Sequence, residues 1–221
     1  MSRYLKNIYS VLLLSFKGVR FDRRFSIDIN ANIKLGTDVS IGRDVILEGD
    51  ISIGDNVVIE NNCLIKDSII RSGSRIKSYT IVESSEVGEE SFIGPFARIR
   101  GGSVLGKHCQ IGNFVEIKNS IILFGCRINH MAFIGDSNLG KNVTIGAGVI
   151  TCNHDGEAVQ RTVIGERAYI GSNSNLIAPI LIGEYATIGS GSTITEDVPA
   201  KKLAVARVRQ KVIESWKGFN R

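Results

Sequence analysis

An aliphatic residue returns at every sixth position along Leu35, Ile41, Leu47, Ile53, Ile59 and Ile65. With occasional five-residue steps the series continues through Ile70, Ile76, Val87, Ile93, Ile99, Leu105, Ile111, Ile117, Ile122, Ile128, Ile134, Leu139 and Ile145. After one interruption it resumes at Ile164 and runs to Ile194. Glycine often follows directly, as in Ile41-Gly42, Ile111-Gly112 and Ile182-Gly183. Such a rhythm matches neither a 3.6-residue helix nor a simple alternating strand. A chain that runs extended for two or three residues and then turns, three times per circuit, instead places one aliphatic side chain on each inner wall of a triangular prism, and about eighteen residues close a coil. The expected fold is therefore all-β, a left-handed parallel β-helix of hexapeptide repeats, with room for roughly nine coils between residues 27 and 198. A sandwich of short strands would need turn signals at intervals of about 8 to 12 residues.

The two ends of a solenoid need covers. The apolar segment within residues 1–20 predicts a short capping helix, residues 21–199 the β-helix domain, and residues 200–221 a C-terminal arm, a short strand followed by a helix after the Pro199 break. The interruption between Ile150 and Ile164 carries TCNHDGEAVQRT and predicts an outward loop.

Composition strengthens the β reading: 32 Ile and 18 Val stand against 13 Leu, with 24 Gly and 3 Pro. The four cysteines, Cys63, Cys109, Cys126 and Cys152, form no CxxC pair and no metal-ligand spacing with histidine, which fits a reducing cytoplasm and argues against a zinc site. Lys6 and Asn7 interrupt the N-terminal apolar run, which is too short to span a bilayer, so membrane contact is not expected. A net charge of +5 suits an anionic partner. Lys and Arg are scattered without interleaved aromatics, so that partner is expected to be a small molecule and not nucleic acid.

Residues one coil apart stack on one wall. Arg100 and Lys118 are so related, and two stacked cations repel unless an anion lies between them. On spacing alone they are equally two solvated surface charges. His130 stands in the irregular stretch INHMAFIGD, and Asn153-His154-Asp155-Gly156 is as readily an Asx turn as a site.

At these residues the chain resembles a known family. The runs GPFARIR (94–100), IGNFVEIKNS (111–120), NH-x-x-FIGD (129–136), IGAGVITCNHDG (145–156), IGSNSNLIAP (170–179) and LAVARVRQ (203–210) are similar to the acetyltransferase half of the bifunctional bacterial enzymes that make UDP-N-acetylglucosamine, the glucosamine-1-phosphate N-acetyltransferase module. The likeness covers about residues 20 to 216 and stops where those enzymes carry a nucleotidyltransferase domain, so a free-standing acetyltransferase is expected.

The resemblance implies direct acetyl transfer from acetyl-CoA, without a metal, to the amine of an amino sugar that is phosphorylated or nucleotide-linked. His130 falls on the general base, with Glu116 a candidate to orient its imidazole. Arg100 and Lys118 fall on the pair that holds the sugar phosphate. Asn153 and Ser172 fall near the acetyl group and the CoA arm, and Ala147, Ser190 and Arg207 on further CoA positions. The family forms homotrimers with CoA between neighbours, so His130 and Arg207 could serve different subunits. Phe133, Thr144, His154 and Val159 depart from the family's tyrosine, asparagine, tyrosine and lysine. Phe133 and Thr144 fall on the amino-sugar pocket and His154 on the acetyl-CoA side, which implies a changed acceptor.

Two other readings stand beside this one, sugar O-acetylation in surface-polysaccharide assembly and a β-helix scaffold that has lost its pocket. Retention of His130, Asn153 and Ser172 together argues against the scaffold. A carbonic anhydrase of the hexapeptide type would need three stacked histidines, which His108, His130 and His154 do not supply.

Overall fold

The computed structural model describes residues 3–216, and in it the hexad rhythm becomes three walls of short parallel strands. The architecture is the left-handed parallel β-helix, with about ten turns and one α-helix. The first wall stacks eleven strands, from Arg20–Phe21 to Leu203–Ala204, one coil further at each end than the hexad count suggested. The second wall includes Arg98–Arg100, Glu116–Lys118, Phe133–Gly135 and Ile150–Cys152, and the third Val104–Leu105, Ile121–Ile122 and Ser137–Leu139. The eight-residue strands Asp28–Leu35 and Ile46–Ile53 bend from the second wall onto the third and join the two.

Register is strict. Ile99 pairs with Ile117 and Ile117 with Ile134, so each inward side chain rests on a like one a coil away. Ile93, Ile111, Ile128 and Ile145 do the same on the first wall, and all are buried. Ile145 next pairs with Ile170, and the extra residues form the expected loop, a turn back on itself with His154 bridged to Val159. In the inward aliphatic column of the second wall, one member is a threonine. Thr151 is fully buried, accepts a hydrogen bond from Gly135 N (2.8 Å) and donates to the Gly135 carbonyl (3.1 Å).

The corners are turned by residues with left-handed φ. Between the first and second walls this column reads Asp44, Asn62, Tyr79, Phe96, Phe114, Met131, Gly148, Asn173 and Gly191. Asn and Gly adopt that conformation at least cost, so the four larger residues in its middle are placed against backbone preference. They are also 47–62% exposed. Tyr79 stacks on Phe96 (4.9 Å between ring centres, 4° between planes), and Phe96 on Phe114 (5.4 Å, 19°).

The N-terminal helix α1, Arg3–Phe16, buries Val11 and Leu14 against the first coil. Asn7, which interrupts the apolar run, is its tether: it donates to the Ile27 carbonyl and accepts from Ile29 N, both at 2.8 Å. Among the described residues no helix is long and apolar enough to cross a membrane. The expected C-terminal helix is absent from the described part of the arm, which runs irregularly from Val205 to Trp216; residues 217–221 of that arm lie outside the described residues. Val208, Val212, Ile213 and Trp216 are largely exposed there, so no surface is present for a helix to pack on, and a helix this short is marginal alone.

Stacking on both sides predicts a gradient of core sensitivity. Ile117→Ala should cost about 2–5 kcal/mol in chemical denaturation. Ile194→Ala, whose strand Thr193–Ile194 pairs on one side only, should cost clearly less. Equal losses would mean that stacking between coils is not what holds the interior.

Candidate active site

His130 ends the first-wall strand Arg127–His130. Its partner one coil back is Asn113, whose Oδ1 lies 2.9 Å from His130 Nδ1. With that oxygen accepting, Nδ1 holds the hydrogen and Nε2 keeps its lone pair. Onward along the same edge, register places Ala147, Ser172 and Ser190 in one column below His130, which ends at Ala206 of the last coil, with Arg207 the next residue in the chain. From His130 to that end is four coils, roughly 19 Å at the spacing of adjacent strands. On the other side of His130 a groove of about 420 Å³ is lined by Lys77, Pro95, Gly112 and Asn113, among others. Gly112 is required by close approach, since a Cβ there would lie 1.9 Å from the Asn129 carbonyl oxygen.

The second wall holds the cations. Arg100 and Lys118 are direct partners in register, as their spacing required. Neither is bare. Arg100 Nε donates to Glu116 Oε1 at 2.6 Å, and Lys118 Nζ lies 3.7 Å from Asp136 Oδ2. Glu116 therefore does not meet His130, because its carboxylate is taken by Arg100 on another wall; the residue touching the imidazole is Asn113. The Phe133 ring lies over Gly135, where a Cβ would come within 2.7 Å of the ring and 2.9 Å of Asn153 Nδ2. Thr144, expected beside Phe133, is instead on the first wall and lines a separate groove with Arg127 and Arg167.

Asp136 organises the second-wall cluster, and sequence reasoning passed over it. It is 4% exposed, sits at a corner with φ 49°, and accepts hydrogen bonds from the side-chain amides of Asn119 and Asn153. Burial pushes its carboxyl up, but the two amides and the charges of Lys118 and Arg161 outweigh it and hold the group below the ordinary carboxylate value. The available signal was an acid in a corner column, one coil after Asn119, where most members are small or amide residues.

The loop after Asn153 is built around Asp155. Its carboxylate accepts from Glu157 N (2.9 Å), Ala158 N (2.7 Å) and Gln160 Nε2 (3.2 Å), and these bonds hold it down at about 2. His154 Nδ1 accepts from Gly156 N at 3.0 Å, so the Asx-turn reading of this segment describes its geometry. Among the cysteines, burial first of all pushes Cys126 up to about 12 and Cys63 to about 11, which leaves them poor nucleophiles.

Comparison with known proteins fits this geometry. A model of the GMPPB C-terminal domain matches residues 29–110, and the bacterial transferase hexapeptide (six repeats) model matches residues 161–196. The bifunctional protein GlmU of Thermodesulfovibrio yellowstonii is 50% identical over 124 residues, covering 56% of this chain. The match falls on the C-terminal acetyltransferase part of GlmU. Over these residues the chain is similar to GlmU, and the hexapeptide match lies at 161–196. GlmU of Pseudomonas aeruginosa strain UCBPP-PA14 is 51% identical over 124 residues. The match to GlmU takes in just 27% of each relative's length, and on this chain it is shorter than the 20–216 suggested by the motifs. Among solved structures, the UDP-N-acetylglucosamine acyltransferase from Campylobacter jejuni is 21% identical with a TM-score of 0.39, over 81% of this chain and 71% of that one.

Asp136→Ala should cost about 1–3 kcal/mol by leaving buried amides and an ammonium without their acceptor. A carboxyl held below its unfolded value contributes stability that is present above that unfolded value, about 4, and lost as pH falls through the folded one. The gap between the denaturation midpoints of wild type and variant should therefore hold from pH 7 to about 4 and narrow as the pH falls further. A gap that stays constant would remove the charge from the explanation.

Proposed function

We propose that the chain transfers the acetyl group of acetyl-CoA to the amine of a phosphorylated or nucleotide-linked amino sugar used in cell-envelope assembly. The observation that carries this reading is the column His130, Ala147, Ser172 and Ser190, which joins an oriented imidazole to a strip of small residues ending at Ala206, one residue before Arg207. Such a strip offers room for an extended CoA arm, with Ser hydroxyls to bond its amides and a guanidinium for a phosphate at its far end. His130 Nε2 takes the proton as the amine attacks the thioester carbonyl, the C–N bond forms, the C–S bond breaks, and the thiolate leaves and is protonated. Similarity to GlmU supports the same chemistry.

Arg100 and Lys118 hold the acceptor's phosphate in this reading. Because each starts with an acid partner, the phosphate must share or displace Glu116 and Asp136, which favours a bidentate contact from the free edge of the Arg100 fork. Asn153 and Ser172 lie at different corners of one chain, as do Phe133 and Thr144 on different walls, so the site is completed by a neighbouring copy. The exposed ridge Tyr79, Phe96, Phe114 and Met131 supports a homotrimer, since four apolar side chains in an unfavourable backbone conformation need a reason to stay exposed in the monomer.

His130→Ala should lower acetyl transfer by about 10²- to 10⁴-fold with little change in acetyl-CoA affinity. Thiol release from acetyl-CoA is to be followed against amino sugars, their 1-phosphates, their nucleotide conjugates and the matching hydroxy sugars. Near-normal turnover by the variant on the best acceptor would remove His130 as base, and turnover of the hydroxy sugars alone would move the reaction to oxygen. Sedimentation at micromolar concentration should show three chains, and Phe96→Asn with Phe114→Asn should shift the protein to monomer while stabilising the isolated coil.

A further inference from the structure

On the first wall, three residues before His130, Arg127 lines a polar groove of about 470 Å³ with Asn142, Thr144, Arg167 and Tyr185. No carboxylate lines it. Among the described residues no acid pairs with Arg127, while Arg167 lies over the Tyr185 ring at 5.9 Å and has Glu166 at 3.6 Å, an exposed and weak pair. The floor is open because Gly125 lacks a side chain; a Cβ there would lie 2.4 Å from Asn142 Oδ1. Register fixes the arrangement: Arg127 pairs with Thr144 and Thr144 with Tyr169, which sets the guanidinium above a hydroxyl, and Arg167 and Tyr185 follow at the adjoining corner.

Two guanidiniums facing one groove without an acid repel each other, and an anion between them removes that repulsion and adds charge-assisted hydrogen bonds. Thr144 and Asn142 supply neutral donors beside them. We propose that this groove is a phosphoryl-anion site, distinct from the Arg100 and Lys118 pair on the second wall. The contrast between the two is electrostatic. Arg100 and Lys118 are each neutralised by an acid of the same cluster, whereas Arg127 has none, so the groove is the stronger attractor for a free anion. Arg127 and His130 are separated by about 10 Å of extended strand, so one phosphorylated molecule can occupy the groove and reach the imidazole. Its phosphoryl group comes either from the acceptor or from CoA.

The test is calorimetric titration of the full chain with inorganic pyrophosphate at low salt, which needs no turnover and so stands apart from the acetyl-transfer reading. Arg127→Gln and Arg167→Gln should each weaken binding by about tenfold or more, the loss expected for one charge-assisted contact. Arg75→Gln, in the same wall column three coils away, should leave it unchanged. Matching melting temperatures check that all three variants fold. Equal pyrophosphate affinity in wild type and both groove variants, or no binding to wild type at millimolar concentration, overturns the site. Repeating the titration with acetyl-CoA and with a hexosamine 1-phosphate identifies the source: the ligand whose affinity falls in the groove variants is the one whose phosphate lies there, and a loss with neither also overturns it.

Discussion

The structure depends on one repeated contact, an aliphatic side chain lying on its counterpart one coil away. Ile99, Ile117 and Ile134 show what this demands: their strands must be parallel, in register and separated by 17 or 18 residues, or the interior opens. β-branched isoleucine suits the narrow prism because its preferred rotamers stand well on a strand and fill the space between walls. Everything outside the prism follows from this frame. An outward side chain is fixed in height by its coil and in direction by its wall, so a functional group needs only the right position in the repeat to be placed.

Corners are where this economy is strained. A sharp turn between walls calls for left-handed φ, and Asn, Asp and Gly supply it at about half or more of the positions in each corner column. Asp136 uses such a corner to bury a carboxylate and tie Asn119, Asn153 and Lys118 together. The stacked rings of Tyr79, Phe96 and Phe114 use another, where the cost of the conformation is set against stacking and whatever covers the ridge.

Much of this was legible in the sequence because the hexad is periodic and periodicity is what fixes the coil. The pairing of Arg100 with Lys118 came from an eighteen-residue interval alone, and the loop after Asn153 from a break in rhythm. What was not legible is which stacked side chains bond one another. The interval rule gives register and not side-chain direction, so Glu116 was set beside His130 when it bonds Arg100 on its own wall, and Asn113, one coil before His130 on the first wall, was missed. Thr151 escaped because a hydroxyl in an aliphatic series reads as a gap. The C-terminal helix was inferred from an arm whose apolar residues Val208, Val212 and Ile213 are largely exposed in one chain.

The division of candidate residues among walls has its own consequence. Within one chain the corner at Met131 separates His130 from Phe133, although they are three residues apart, and it turns the Arg100 and Lys118 wall away from the His130 column. Rotamer changes cannot undo this, because the walls are fixed by backbone hydrogen bonds to coils on both sides, such as Met131 N to Asn113 O and Gly148 N to Met131 O. A small ligand that touches both His130 and the second-wall cations must therefore bridge a corner or lie between two chains. The ridge of exposed rings stands at that same corner, so a neighbouring copy seated there would cover apolar surface and bring a second set of walls to the first in one step. Assembly and site formation then have the same physical cause, and a chain that cannot bury its ridge would also lack a complete pocket.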